Sequence, residues 1–117
     1  MNRREVGKEK EQIAAEFLKE NGYIILEMNY NTKHGEIDII AKDAKYICFV
    51  EVKYRKSLRS GLPEEAVNLG KMKKICKASQ YYLYSHKEYM NHQIRYDVIA
   101  IENDEIRFYD NAFPYCL

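Results

Sequence analysis

The sequence predicts an α/β fold, a mixed central β-sheet flanked by helices in the order α-β-β-β-α-β-β. Three patterns lead there. Ile13, Ala14, Phe17 and Leu18 recur at helical spacing near the start of the chain. Glu36 to Ala41 and Tyr46 to Tyr54 are short, largely apolar runs bounded by turn residues, as in buried strands. A second helical stripe, Met72, Ile75, Cys76, Ser79 and Leu83, separates these from two further strand-like runs. Elements that each carry one apolar face must bury it against one another, and strands interleaved with helices do so as a sheet with helices packed on it.

In chain order, the first helix runs from Gly7 to Glu20 and stops at Asn21-Gly22. Tyr23 to Asn29 reads as the first strand. After a turn at Asn31 to Gly35, Glu36 to Ala41 alternates acid with Ile, then turns apolar as the second strand. Lys42 to Lys45 is a short polar turn, and Tyr46 to Tyr54 is the third strand. Ser57 to Leu62 reads as a loop. Pro63 can open a helix, with Glu64 and Glu65 suited to its first turn, and a break is expected around Gly70 before the apolar stripe continues to about Tyr84. Ile94 to Ile101 and Glu105 to Tyr109 are the last strands, joined at Glu102-Asn103-Asp104.

The chain has 117 residues, 46% of them hydrophobic and 32% charged, with five Gly and two Pro. That is enough for one domain spanning 1–117 with a real core, and it excludes a disordered or collagen-like chain. No apolar run is long enough to span a bilayer, and the charged start lacks the apolar centre of a signal peptide. Cys48, Cys76 and Cys116 are odd in number, far apart and without metal-type spacing, so reduced thiols in a cytoplasmic protein are expected. Cys48, on an apolar strand, belongs in the core.

A net charge of +1 argues against a surface that coats nucleic acid all over, but its distribution is uneven. Residues 53–77 hold eight basic and two acidic groups: Lys53, Arg55, Lys56, Arg59, Lys71, Lys73, Lys74 and Lys77 against Glu64 and Glu65. A basic stripe among acidic surroundings suits a groove that follows phosphates, with a solvated helix face as the competing explanation.

Asp38 and Glu51 interrupt two otherwise apolar strands, and Lys53 lies two residues after Glu51, on the same side. If Lys42 to Lys45 makes an even-length hairpin, Ala41 pairs with Tyr46, Asp38 faces Phe49, Glu36 faces Glu51, and Asp38 becomes the diagonal neighbour of Glu51. Two carboxylates at the edge of a core repel and are costly to desolvate, and one divalent cation between them offsets both effects. Oxygen ligands favour Mg²⁺ or Mn²⁺. Such an ion activates water and neutralises charge on a phosphodiester, while Lys53 can hold the attacking water and add positive charge. An exposed, salt-bridged hairpin, Glu51 with Lys53 or Arg55, would have the same spacing.

The wording around these positions is more specific. Gly35-Glu36-Ile37-Asp38-Ile39-Ile40, followed by Phe49-Val50-Glu51-Val52-Lys53-Tyr54-Arg55, resembles the PD-(D/E)XK nuclease motif, with Ile37 where the superfamily name has Pro. The chain most closely resembles the bacterial YraN family of small predicted endonucleases, which are similar to archaeal Holliday-junction resolvases. Gly7 and Glu11 with Ala14 and Leu18, Asn29-Tyr30, Ala66-Val67 with Lys71, and Arg95-x-Asp97-Val98 extend the likeness over nearly the whole chain. The resemblance implies a restriction-endonuclease-like fold in which Asp38 and Glu51 hold Mg²⁺ or Mn²⁺ with the Val52 backbone carbonyl. It makes Lys53 the catalytic lysine and Glu11 the helix carboxylate that completes the site. It further implies a metal-dependent DNA endonuclease, with branched DNA and a homodimer suggested by the resolvase likeness. A nucleic-acid-binding module that does not cut, or a protein-interaction adaptor, would keep the same fold.

Arg55, Arg59 and Lys71 are candidate phosphate contacts. Arg95 and Asp97 suggest an inter-strand salt bridge. Tyr81, Tyr82, Tyr84 and Tyr89, near helical spacing, read first as half-buried packing, with stacking on exposed bases the alternative. The three histidines form no metal set and read as surface residues.

Overall fold

The structure is a computed structural model that describes residues 3–55 and 68–115, the side chains of residues 3, 4 and 55 excepted. The expected loop at Ser57 to Leu62, the helix start at Pro63, Ala66-Val67 and the Arg59 contact lie outside these residues, as do the Arg55 side chain and Cys116. Helix α1 (Arg3–Glu20) is followed by β1 (Ile24–Thr32), β2 (Gly35–Lys42) and β3 (Tyr46–Arg55). Helix α2 (Leu69–Ser85) and a 3-10 turn at Lys87–Tyr89 lead into β4 (Gln93–Glu102) and β5 (Glu105–Phe113). The order α-β-β-β-α-β-β is the one the sequence predicts. No described helix is long and apolar enough to cross a membrane.

The five strands form one sheet in the order β1-β2-β3-β4-β5. β3 and β4 run parallel and the other neighbours antiparallel, so the sheet is mixed. A parallel pair needs a crossover, and the segment containing α2 supplies it between β3 and β4. Ala14, Ala15 and Leu18 of α1 pack on Ile39, Ala41, Cys48, Val50, Ile99 and Ile101 on one face. On the other face, Ile75, Cys76, Ala78 and Tyr82 of α2 pack on Ile37, Ile40, Ile47, Phe49, Tyr96, Val98 and Phe113. Each large apolar side chain removed from water in this way contributes roughly 1.5–3 kcal/mol. Cys48 is fully buried, as its strand context requires.

Two features depart from the expected local geometry. The turn between β2 and β3 is tighter than Lys42 to Lys45. The Asp43 N–H donates to the Tyr46 carbonyl at 3.1 Å, and Asp43 Oδ1 accepts the N–H groups of Lys45 at 2.8 Å and Tyr46 at 2.7 Å. This side-chain closure, of the kind Asp makes in turns, moves β3 two residues along, so Ala41 pairs with Cys48 and not with Tyr46. An even shift leaves every side chain on its expected face. The second departure is a change of face inside β1 and β2. Met28 and Ile39 pair and belong to the α1 side, whereas Tyr30 and Ile37 pair and belong to the α2 side. Strict alternation forbids that. The change occurs at Asn29, whose φ of 52° is left-handed, a conformation Asn tolerates better than most residues, and at Asp38 beside it.

On β4, Arg95 and Asp97 bond each other along the strand and do not bridge strands. Alternation puts residues two apart on one side. Arg95 Nε donates to Asp97 Oδ1 at 2.9 Å and a terminal nitrogen to Oδ2 at 3.0 Å, while the Tyr23 hydroxyl and the Asn111 N–H complete the set. Asp97 is fully buried. Asp97→Ala would strand a buried guanidinium, so a loss of about 3–5 kcal/mol is expected in urea unfolding. A loss below about 1 kcal/mol, the range of an exposed pair, would contradict this account of the pair.

Candidate functional site

The ladder between β2 and β3 ends at Ile39 opposite Val50. The next positions outward, Asp38 and Glu51, therefore face one another across the point where the strands part, and not on the diagonal the expected register gave. Glu36 pairs instead with Asn31 of β1 and is exposed. The Val52 N–H, freed from the ladder, donates to Asp38 Oδ2 at 2.8 Å. In an antiparallel strand the N–H and C=O of one residue point to the same side, which directs the Val52 carbonyl toward the same gap.

Glu51 is only 4% exposed and sits on the α2 side of the sheet. Its Oε1 is 3.4 Å from Lys53 Nζ, the two-residue spacing bringing both side chains to one face. The same oxygen is ion-paired with Lys71. Lys71 is set by the start of α2, where Asn68 Oδ1 accepts the Lys71 N–H at 2.9 Å and caps the helix. The break expected around Gly70 falls at Asn68, where the chain is extended, and the described helix runs unbroken from Leu69. Gly35 lets the β1–β2 turn lie against this helix, since a Cβ there would stand 3.0 Å from Lys74 Cβ and 3.2 Å from the Lys74 carbonyl oxygen. Gly35, Glu36, Asp38, Glu51, Lys71, Lys74 and Ile75 line the resulting cleft of about 290 Å³.

The electrostatics follow from this crowding. Burial raises the Asp38 carboxyl to about 8, helped by the charge of Glu51 and, less, of Glu11, with the Val52 N–H pulling the other way. Glu11 of α1 is raised above the ordinary glutamate value, first by burial and then by Glu36 and Glu51, against the opposing pull of Asn29 and Asp38. Burial lowers Lys53, and the neighbouring Lys71 lowers it further against the pull of Glu51. Burial also opposes the charge of Lys71, but Glu51 outweighs it and holds that ammonium above the usual lysine range.

Asp38, Glu51, Lys53 and Lys71 are therefore together, with Glu11 approaching Asp38 from the opposite layer. Among the described residues no three or more His, Cys, Asp or Glu are arranged to hold a metal ion. The available donors are two carboxylates and a backbone carbonyl, all oxygen, which fits a hard divalent cation that keeps part of its water shell. Two residues carry more of the site than their sequence context suggests. Asn29 turns the strand at Asp38 and opposes the rise of the Glu11 carboxyl, and its signal was an Asn inside a strand-like run. Lys71 touches a carboxylate twenty residues earlier, and no local pattern announces that contact.

An acid whose pKa rises on folding keeps its proton in the native state after the unfolded chain has released it. Between the ordinary Asp value of 3.8 and about 8, the native chain binds more protons, so this group costs stability as pH rises and costs nothing below that window. Asp38→Asn keeps an oxygen for the Val52 N–H. In chelator, the variant is expected to melt above wild type at about pH 8.5 and level with it at about pH 4. Equal melting at both values would mean that Asp38 is not confined against Glu51.

The chain matches the family described as "Uncharacterised protein family UPF0102" over residues 10–101. A UPF0102 protein of Lachnoclostridium phytofermentans is 42% identical over 113 residues, covering 97% of this chain and 96% of the relative. One from Thermodesulfovibrio yellowstonii is 46% identical over 113 residues, covering 97% and 99%. Another, from Fusobacterium nucleatum, is 46% identical over 111 residues, covering 95% and 92%. The matched span takes in every residue of the cleft as well as Glu11 and Lys53, and the chain belongs to the uncharacterised protein family UPF0102.

Proposed function

We propose that this chain is a divalent-metal-dependent endonuclease that hydrolyses phosphodiester bonds in DNA. The observation that carries the reading is that two carboxylates from adjacent strands, half-buried Asp38 and buried Glu51, line one cleft, with Lys53 3.4 Å from the second. Like charges at the edge of a core repel and lose solvation, and the two lysines pair with Glu51 rather than with Asp38. A cation bound between them removes both penalties. Asp38, Glu51 and the Val52 carbonyl are the groups that would hold Mg²⁺ or Mn²⁺, with Glu11 steadying Asp38 from α1. The bound ion would supply a water of lowered pKa and positive charge beside the phosphate.

Hydrolysis adds the water oxygen to phosphorus, breaks the bond to one sugar oxygen and moves a proton from the water to that leaving oxygen. Lys53, held beside Glu51, is the side chain best placed to hold the attacking water and to add positive charge to the transition state. Lys71 stays cationic and can leave Glu51 to meet charge that grows on the phosphate. Arg55 and Arg59 would hold the flanking backbone.

The test is cleavage of labelled single-stranded, duplex, flap and four-way-junction DNA with Mg²⁺ or Mn²⁺, wild type beside Lys53→Ala. Cutting by wild type, slowed at least about 100-fold in the variant, is expected for loss of a positioned positive charge at the transition state. Equal cutting by both would show a contaminant or a misplaced site. No cutting of any substrate by wild type would favour a module that binds without cleaving.

A further inference from the structure

The four tyrosines of the 81–89 region divide sharply. Tyr82 is buried and Tyr89 packs against the same core cluster, whereas Tyr81 is 41% and Tyr84 77% exposed, and neither belongs to a core cluster. Tyr81 and Tyr84 line a cavity of about 420 Å³ with Lys77, Gln80 and Ser85. His34, at the β1–β2 turn, stacks on Tyr81 with ring centroids 5.3 Å apart and an interplanar angle of 15°, and bonds its hydroxyl at 3.1 Å. The next residue, Gly35, lines the cleft of Asp38 and Glu51 and packs against Lys74. One turn of chain therefore ties the aromatic cavity to the candidate active site, along a single face of α2.

From Lys71, that face carries Lys74, Lys77, Tyr81 and Tyr84. At 1.5 Å per residue, the ten residues from Lys71 to Tyr81 span about 15 Å. Lysines neutralise phosphates without regard to sequence, and exposed rings stack on bases only where the bases are unpaired. A duplex keeps its bases stacked inside and has no use for the rings. We infer that this face of α2 is a track for single-stranded DNA, with Lys74 and Lys77 on the backbone and Tyr81, backed by His34, and Tyr84 on unpaired bases. The inference rests on the nuclease reading for the place of the cut, and it specifies the substrate as DNA with a single-stranded segment next to that place.

The test is fluorescence anisotropy of a labelled twenty-residue thymidine oligonucleotide and of a blunt duplex, all in EDTA so that cleavage plays no part. Tyr81→Ala/Tyr84→Ala should weaken single-strand binding at least about tenfold and duplex binding less than about threefold. Tyr81→Phe/Tyr84→Phe, which keeps the rings, should bind within about threefold of wild type. Lys74→Gln/Lys77→Gln should lower the salt dependence of single-strand binding by about 1.4 in log–log slope, roughly 0.7 for each lost phosphate contact. Tyr84→Ala alone, at the most exposed position, tests the same face with the least risk to folding, and a loss of at least about threefold is expected.

Alanine variants that bind the oligonucleotide as wild type does, or that lose both DNAs equally, would overturn the track. A phenylalanine variant as weak as the alanine one would overturn stacking as its basis. If wild type sediments as a dimer that the alanine variant breaks, with oligonucleotide binding unchanged, the face is a contact between copies and not a DNA track. Because no metal is present, a failure here would leave the nuclease reading standing. Intact strand binding with no cleavage would count against the nuclease reading alone.

Discussion

Glu51 is the constraint around which the rest of the site is arranged. A glutamate 4% exposed on the inner side of a central strand must have partners. The fold supplies two ammonium groups, Lys53 from the same strand and Lys71 from the crossover helix. It also supplies a second carboxylate, Asp38, that makes the local charge harder to satisfy. An arrangement built for stability alone would not bring Asp38 there. Its presence, with a carboxyl raised to about 8 by burial and by Glu51, is the feature on which the proposed cation site rests.

The sheet makes this arrangement by giving up regularity at one point. Where β2 and β3 part, a ladder hydrogen bond is replaced by one from the Val52 N–H to Asp38. On the other side of β2, Asn29 takes a left-handed φ of 52°, and both β1 and β2 change which face they present. Asp38 stands at that change, which is why it can meet Glu51 on the α2 side while Glu11 reaches it from α1. The Arg95–Asp97 pair, bonded to Tyr23 and the Asn111 backbone, links β4 to β5 and to the start of β1.

The element order was legible because apolar periodicity reports burial and both helices and all five strands bury a face. Asp38, Glu51 and Lys53 were legible for a related reason, since charged residues in apolar strands stand out and their two-residue spacing fixes a side. The pairing itself was not. Whether Asp43 closes a tight turn depends on side-chain hydrogen bonds, and that choice moved Asp38 from a diagonal to a direct position across from Glu51. Lys71 was visible as a charge in a basic run, but its contact with Glu51 depends on where α2 starts, and so on the Asn68 cap. The tyrosines near the end of α2 share one composition and divide into buried and exposed only when the helix is set against the sheet.

The claim on which the account stands is that Asp38 and Glu51 form one divalent-cation site. Calorimetric titration of Mn²⁺ into wild type, Asp38→Asn and Glu51→Gln, without nucleic acid, tests it most directly. The account predicts saturable binding to wild type at one ion per chain and its loss in both variants. Binding that survives in either variant, or no binding to a folded wild-type chain, would contradict it.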